Sequence, residues 1–280
     1  MQRVAVIGAG TMGHGIAQVC AAAGASVAVT DVSEAALQRG REGVEGSLGR
    51  MVAKGKIDGA ARDAVLARVR WTTSLESAVG DVDLVVEAAP ERMELKRDLF
   101  ARIDAAAPAT ALLGTNTSSL SITEIASVTR DPARVVGLHF FNPVPVMELL
   151  EVVRGVRTGD AAVDRALAFA AQVGKTPIVV RDMPGFATSR LGVALGAEAI
   201  RMLESGVASA EDIDKAMELG YRHPMGPLRL TDLVGLDVRL AILEHLHREV
   251  GEQFRPPALL RQMVRAGKLG KKSGEGFYRW

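Results

Sequence analysis

The chain has a single cysteine and almost no excess of charge. Cys20 alone excludes an internal disulfide bond, and its place in an apolar helical pattern favours a buried thiol over a nucleophile. The 34 basic and 33 acidic residues give a formal net charge of +1, so nothing points to a nucleic acid or an anionic membrane as a partner. No apolar run approaches the roughly 18 residues that span a bilayer. We therefore expect no nucleic-acid or membrane binding.

The overall composition is that of an ordinary globular protein. A length of 280 residues is enough for two domains, and 48% hydrophobic with 24% charged residues is usual for such chains. The first strand pattern begins by Arg3, which leaves no length for a signal or transit peptide. A cytoplasmic location is the default expectation.

The first 31 residues carry the most informative pattern. Residues 4–7 form a short β-branched run that is typical of a buried parallel strand, and a helical pattern follows the glycines. The G-x-G-x-x-G turn between them suits a dinucleotide, because its glycines allow a tight turn, close approach of a pyrophosphate and close packing of helix on strand. The turn residues predicted to contact the cofactor are Gly8, Gly10, Thr11, Met12 and Gly13.

An acidic residue ends the second strand pattern. Asp31 lies where a carboxylate accepts hydrogen bonds from the ribose hydroxyls of an adenosine. Its charge would repel a 2′-phosphate, and Val32 and Ser33 provide no arginine to offset that repulsion. The alternative is a glycine-rich turn without a ligand, but the strand, helix and acid in order favour NAD.

Strand and helix patterns alternate through the first two thirds of the chain. This alternation predicts an α/β, Rossmann-type, doubly wound and mainly parallel sheet. The strands are expected at residues 4–7, 27–29, 71–73, 84–87, 111–113, 134–141, 149–153 and 177–181. After the glycine turn, further helices are expected at residues 33–53, 60–68, 91–106 and 160–173.

Only helical patterns follow residues 183–185. They cover residues 185–204, 210–219, 226–233, 237–250 and 257–266, which predicts a dinucleotide-binding domain at 1–183 and an all-helical domain at 184–280. Gly192 and Gly196 lie four residues apart on the first of these helices. They are either neutral positions or points of close helix–helix contact, and on the second interpretation we expect a homodimer through this domain.

A histidine and a glutamate stand out among apolar residues. His139 alone would be read as a core histidine, but Asn142 and two prolines follow it, and open α/β sheets bind ligands beyond the carboxyl ends of their strands. Glu151 is a charge within an apolar strand, and a buried carboxylate needs a partner. An imidazole is the obvious candidate, and such a pair is suited to proton transfer.

A polar run follows another strand end at residues 116–119. Ser121 and Glu124 behind it form a capping box that predicts a helix start. Capping accounts less well for the four polar residues before Ser121, which suit a ligand hydroxyl or carbonyl. No histidine or cysteine pattern has metal-ligand spacing, so we expect no metal.

These residues resemble the NAD-dependent L-3-hydroxyacyl-CoA dehydrogenases, including the 3-hydroxybutyryl-CoA dehydrogenases, over essentially the whole chain. The motifs that carry the resemblance are GAGTMGHGIA at 8–17, NTSSLSI at 116–122, GLHFFNPVPVMELLEVV at 137–153, PGF at 184–186, HPMGPLRLTDLVGLD at 223–237 and KLGKKSGEGFYRW at 268–280.

The resemblance implies reversible oxidation of a (3S)-3-hydroxyacyl-CoA, such as 3-hydroxybutanoyl-CoA, to the 3-oxoacyl-CoA. It implies that His139 is the acid/base and that Glu151 orients it. Ser118 is implied to contact the substrate oxygen and the cofactor, and Asn142 to lie near the nicotinamide. Fatty-acid or butanoate metabolism is the implied setting.

Further contacts are implied by the same resemblance. Glu91, Lys96 and Lys272 match positions that contact NAD. Ser47 and Lys54 match positions that contact the CoA portion, although Lys54 by pattern alone is a solvated helix charge.

One position departs from the family pattern G-F-x-x-N-R-L, since this chain reads GFATSRL at 185–191. Ser189 replaces the asparagine and keeps one donor and acceptor with shorter reach, so it is implied to help polarise the substrate oxygen. The departure leaves open a hydroxy substrate without CoA, such as L-gulonate, carnitine or a pyridine alcohol. A non-catalytic NAD-binding protein is a more distant alternative, because binding alone needs only the glycine turn and Asp31.

Overall fold

The computed structural model describes all residues 1–280, which divide into two compact units, Met1–Asp182 and Met183–Trp280. This division falls within one residue of the boundary predicted from the sequence. Each unit is described by itself below.

The first unit is built from eight strands and seven α-helices. The strands are β1 (Arg3–Ile7), β2 (Ser26–Thr30), β3 (Val69–Thr72), β4 (Leu84–Glu87), β5 (Leu112–Thr115), β6 (Val135–Phe140), β7 (Leu149–Arg154) and β8 (Thr176–Arg181). The helices are α1 (Thr11–Ala22), α2 (Glu34–Ala53), α3 (Gly59–Ala67), α4 (Leu75–Val79), α5 (Met93–Ala106), α6 (Ile122–Ala126) and α7 (Asp160–Gln172).

The strands form one sheet in the order β3-β2-β1-β4-β5-β6-β7-β8. Every neighbouring pair is parallel except β6 and β7. Strands β2 and β3 follow β1 on one side of the sheet, and β4 to β8 continue on the other side. The strand order therefore reverses between β1 and β4, and such sheets bind ligands at the carboxyl ends of the strands at this switch point. The predicted Rossmann-type α/β fold is confirmed, with one antiparallel neighbour that the alternation of elements did not indicate.

The core of this unit lies between the sheet and its helices. The apolar runs of β1, β4 and β6 are buried because helices cover both faces of a parallel sheet. Cys20 on α1 is fully buried in this core, and burial raises the pKa of its thiol to about 12. The predicted burial of this thiol is confirmed.

Short helices were the least predictable elements. Helix α4 was not expected, because five residues are too few to show a helical period; Ser74 caps it by accepting a hydrogen bond from the backbone N–H of Ser77. Strand β3 begins at Val69, two residues before the predicted start. Helix α6 begins where the capping box placed it, with the Ser121 hydroxyl accepting from the backbone N–H of Glu124.

The second unit is helical, as predicted. Its helices are α8 (Thr188–Glu204), α9 (Ala210–Gly220), α10 (Pro227–Val234), α11 (Leu236–Glu249) and α12 (Ala258–Arg265). No helix of the protein combines the length and apolar character that crossing a membrane requires.

The two glycines of α8 serve close contacts within this unit. A Cβ atom on Gly196 would lie 3.1 Å from the Thr231 hydroxyl of α10, and one on Gly192 would lie 3.2 Å from the guanidinium of Arg239 on α11. The interpretation as close helix–helix contact is therefore correct. The contacts are made inside the chain, so the glycines themselves give no support to a dimer.

Candidate active site

The turn between β1 and α1 has the geometry that phosphate binding requires. Gly8 has a φ of +101°, a conformation that favours glycine, and a Cβ on Gly13 would lie only 1.8 Å from the carbonyl oxygen of Gly8. At Gly10, by contrast, a Cβ would meet nothing within 4 Å. Two glycines thus close the turn tightly, and the third faces open space at the N-terminus of α1, where backbone N–H groups favour an anion.

A cavity of about 650 Å³ opens beside this turn, and its walls include Gly8, Gly10 and Asp31. One carboxylate oxygen of Asp31, Oδ2, accepts a hydrogen bond of 2.9 Å from the backbone N–H of Ala9, so the turn itself positions the acid. The volume lies within the usual range for ligand sites. Open backbone at the helix N-terminus and a carboxylate at the end of β2 fit an adenine dinucleotide.

Two arginines on the wall of this cavity were missed by the sequence analysis. Arg92 directly precedes α5 and Arg102 lies on it, far along the chain from Asp31, and only the fold brings them to the same cavity. Arg102 lies 3.5 Å from the carboxylate of Glu76.

A buried histidine–glutamate pair lies at the end of β6. His139 and Glu151 are opposite one another in the antiparallel pairing of β6 with β7, which puts their side chains on one face of the sheet. His139 Nδ1 and Glu151 Oε2 are 2.6 Å apart, and the side chains are 8% and 0% exposed. The expected contact is present, and the register of the two strands creates it.

This pairing defines the chemistry of the imidazole. A carboxylate beside Nδ1 favours the tautomer of the neutral ring that carries its hydrogen on that nitrogen. The ring of Phe141 packs against the imidazole with centroids 4.4 Å apart, which further limits its rotation. An imidazole beside a buried carboxylate has the geometry that a general base needs.

The loop between β6 and β7 contains Asn142 and is held by a lysine that the sequence did not single out. Lys175 is buried, and its ammonium donates hydrogen bonds to the carbonyl oxygens of Val144, at 2.6 Å, and Met147, at 2.7 Å. Burial lowers the pKa of this lysine. In the sequence, a lysine between a helix end and a strand looks like any surface lysine. The sequence therefore did not indicate that Lys175 holds this loop.

The polar run after β5 is organised around Glu91. The Thr117 hydroxyl donates to the Glu91 carboxylate at 2.6 Å, and Ser118 donates from its backbone N–H at 2.9 Å and its hydroxyl at 3.2 Å. Burial raises the pKa of Glu91, but the charge of Lys96 and these hydrogen bonds outweigh it and hold the pKa below its ordinary value. Three residues of the run, 117–119, thus bond to a protein carboxylate.

Lys96 is placed in the interior. Its residue is 1% exposed, and its ammonium donates to the Glu87 carboxylate at 2.7 Å and to the Ala89 carbonyl at 3.2 Å. The ammonium is also 3.5 Å from the carboxylate of Glu91. Lys96 therefore forms an ion pair with Glu91, and its ammonium, which was expected to contact NAD, is buried.

Two family models match nearly the whole chain. The NAD-binding domain of the 3-hydroxyacyl-CoA dehydrogenases matches residues 3–183, and the C-terminal domain of the same family matches residues 185–280. The chain belongs to the 3-hydroxyacyl-CoA dehydrogenase family. It is accordingly an NAD-dependent oxidoreductase, and NAD is its cofactor.

Individual members of this dehydrogenase family are similar to this chain over all or nearly all of its length. The chain is 47% identical over 281 residues to a 3-hydroxybutyryl-CoA dehydrogenase of Mycobacterium tuberculosis, which covers 99% of this chain and 98% of that one. The crystal structure of (S)-3-hydroxybutyryl-CoA dehydrogenase from Ralstonia eutropha superposes with a TM-score of 0.96 at 43% identity, covering 100% and 99% of the two chains. A 3-hydroxyadipyl-CoA dehydrogenase of Escherichia coli is 43% identical over 282 residues, spanning 100% of this chain and 59% of that one.

The remaining residues matched to the dehydrogenase motifs lie in three places. Ser47 is half-buried on α2, and Lys54 is exposed at its C-terminal end, two turns further on the same face. In the second unit, Ser189 is in the first turn of α8, and the Lys272 ammonium donates to the Asp237 carboxylate at 2.6 Å.

No three histidine, cysteine or acidic side chains are grouped as metal ligands would be.

Proposed function

We propose that the protein oxidises a (3S)-3-hydroxyacyl-CoA to the 3-oxoacyl-CoA in a reversible reaction, with 3-hydroxybutanoyl-CoA as the simplest substrate. The observation that carries the proposal is the buried pair of His139 and Glu151. The similarity to dehydrogenases named for 3-hydroxybutyryl-CoA supports this substrate.

The oxidation removes a proton and a hydride from the alcohol. NAD, when bound, supplies the hydride acceptor. His139 takes the proton of the C3 hydroxyl at Nε2, and the imidazolium that forms is stabilised by Glu151 across the 2.6 Å contact. The electron pair of the broken O–H bond completes the carbonyl, so atoms and charge balance; the reverse reaction returns the same proton.

The neighbouring polar residues position the reactants. Ser118 and Ser189 donate hydrogen bonds to the oxygen as it becomes a carbonyl, and Asn142 lies toward the nicotinamide. Glu91 fixes the backbone of Ser118 through its N–H group, and the Ser118 hydroxyl turns from Glu91 to the substrate oxygen when it donates there. Lys96 acts on the cofactor through Glu91, because its ammonium is buried beside that carboxylate.

Contacts further from the reacting carbon complete the proposal. Lys272 contacts NAD, and Ser47 with Lys54 contacts the CoA portion, where an exposed ammonium suits a phosphate. A role in fatty-acid or butanoate metabolism and a cytoplasmic location stay predictions from the sequence.

The protein is also proposed to form a homodimer through its second unit. Leu191 of α8, Leu233 and Val234 of α10, and Val238 of α11 are all exposed. The helices α8, α10 and α11 that carry them pack against one another within the second unit. We call these four side chains the apolar patch of the second unit.

The deciding experiment measures NADH consumption with acetoacetyl-CoA. We expect His139→Gln to lower turnover by about 10²–10⁴-fold, which is the usual contribution of a general base, while NADH still binds. His14→Gln, at a half-buried histidine of α1, is the matched control for imidazole loss. Near-normal turnover of the His139 variant would reject the assignment.

Ser189 favours a second candidate, the same hydride chemistry on a hydroxy compound without CoA. Assays of L-gulonate, carnitine and pyridine alcohols with NAD, beside 3-hydroxybutanoyl-CoA, distinguish the two. Turnover of those compounds with indifference to CoA would favour the second candidate, and Lys54→Ala raising the KM for the acyl-CoA alone would favour the first.

A further inference from the structure

The carboxyl end of β6 extends beyond the strand beside it. The pairing of β5 with β6 ends where Thr115 meets Gly137, whereas β6 continues to Phe140. On the β5 side, the buried backbone N–H of Phe140 therefore has no strand carbonyl to accept its hydrogen bond, and an unpaired buried donor is costly in free energy. Because His139 directly precedes Phe140, the group that fixes this N–H also fixes the strand position of the imidazole.

A side chain from the end of β5 replaces the missing strand. The amide oxygen Oδ1 of Asn116 accepts a hydrogen bond of 2.8 Å from the backbone N–H of Phe140. The backbone N–H of Asn116 donates in turn to the carbonyl oxygen of Glu87 on β4 at 2.7 Å, which holds Asn116 in line with the sheet. Ser118 follows two residues later. Asn116 thus joins the turn that carries Ser118 to the strand that carries His139.

The loop after β6 is fixed at a second point by Lys175. The ammonium of this buried lysine bonds to the carbonyl oxygens of Val144 and Met147, which lie three residues apart in the loop. The Val144 side chain also packs on α1, since a Cβ on Gly15 would lie 3.0 Å from the Cβ of Val144. The loop is therefore tied both to the chain before β8 and to the helix that follows the glycine turn.

Asn142 lies between these two anchors. Its side chain is half-buried and makes no hydrogen bond within the protein, so its position depends on the segments on either side of it. The proposed function places the Asn142 amide toward the nicotinamide and His139 at the C3 hydroxyl. The present inference rests on those two assignments.

We propose that Asn116 and Lys175 are positioning residues for the reaction, which hold the segment 140–147 so that His139 and Asn142 are correctly placed. Neither side chain needs to touch the substrate or the cofactor. A displacement of about 1 Å can lower a rate by about 100-fold, so the loss of either anchor should lower kcat. The affinity for the acyl-CoA should change little, because the contacts proposed for its CoA portion lie on another element.

The test measures turnover of acetoacetyl-CoA per NADH-binding site, counted by fluorescence titration, so that unfolded protein does not contribute. Asn116→Leu removes the acceptor and Lys175→Met removes the donors, and each should lower kcat by about 10- to 100-fold. The KM for acetoacetyl-CoA should stay within about threefold of the wild-type value. Asn116→Asp keeps an acceptor oxygen and Lys175→Arg keeps donors, so each should recover part of the loss.

Arg134→Met is the matched control for the loss of a buried cation. Arg134 is 8% exposed, as Lys175 is, and it donates to the carbonyl oxygens of Pro108 at 2.6 Å and Ala111 at 3.3 Å. It directly precedes β6 and so lies at the opposite end of that strand from His139. The variant should lower the melting temperature but leave turnover per NADH-binding site unchanged.

The two anchors come from different parts of the chain, so a variant that does not fold leaves the other to decide. Wild-type turnover per NADH-binding site in Asn116→Leu or in Lys175→Met would overturn the role proposed for that residue. A raised KM with unchanged kcat would also overturn it, because the side chain would then act in substrate binding. No turnover of any 3-oxoacyl-CoA by the wild-type protein would instead overturn the proposed function.

Discussion

At the scale of single residues, the first unit pairs each interior acidic group with a specific donor. Glu151 is 0% exposed and contacts His139, and Glu87, equally buried, accepts from Lys96 and from the hydroxyl of Thr115 at 2.6 Å. Each pairing offsets the desolvation of the carboxylate. Because the pairs lie at strand ends, they also fix the side chains that we assign to the reaction.

Glu91 gives this pairing a measurable pH dependence. We expect Glu91→Gln to lower the free energy of unfolding at neutral pH by about 1 kcal/mol, a modest value because its side chain is 37% exposed. The folded-state pKa lies below the ordinary value of 4.5, so the ionised group stabilises the fold above that pH, and its contribution is lost as the pH falls through the folded-state pKa.

Denaturant unfolding of both proteins from neutral to acidic pH measures this contribution. The difference between wild type and Glu91→Gln should be constant near neutrality and shrink below pH 4.5. Asp98→Asn, at an exposed carboxylate on the following helix α5, serves as the control. A difference independent of pH would contradict the ionic origin of the effect.

At the scale of elements, two glycines of the turn from β1 to α1 have different roles, one in folding and one in cofactor binding. Gly13→Ala would place a Cβ 1.8 Å from the Gly8 carbonyl oxygen, so the helix must move away from the strand. Gly10 has a φ of −65°, which alanine adopts freely, and its Cβ would meet no protein atom. That Cβ would instead enter the space that the pyrophosphate needs.

We therefore expect the two alanine variants to differ in kind. Gly13→Ala should lower the melting temperature of the protein without NADH, by several degrees for each kcal/mol lost. Gly10→Ala should keep that temperature and weaken NADH binding by about tenfold or more. Differential scanning calorimetry and NADH fluorescence titration check the pair, and equal loss of stability in both variants would contradict this division of roles.

Features that depend on residues close in the chain could be predicted from the sequence, and features that depend on tertiary packing could not. The glycine turn, Asp31 and the capping box at Ser121 were predictable because each depends on residues close in the chain. The partner of Glu151 was inferred from the cost of a buried charge, but the antiparallel register that aligns it with His139 depends on tertiary pairing. Lys175 gave no signal, because burial of a long basic side chain is decided by what packs around it.

At the scale of the whole molecule, each unit has its own apolar core. One core joins β1, β2, β4 and β6 to α1, α2 and α7, and the other joins α8 to α11 and α12. The apolar patch of the second unit is not covered within its own unit. Large exposed apolar patches on such proteins mark interaction surfaces, and a second copy of the chain is the partner that we propose.

The dimer is tested by placing a charge in this patch. Val238→Lys should convert a dimer into a monomer, because an interface core disfavours an unpaired ammonium. Light scattering coupled to size exclusion measures the mass, and Leu219→Lys, at an exposed apolar residue of α9, is the control that should stay dimeric. A stable interface buries roughly 1,000 Å² or more, and a lysine buried within it should abolish the dimer. A wild-type monomer, or a Val238→Lys variant that remains dimeric, would therefore contradict the assignment of this surface.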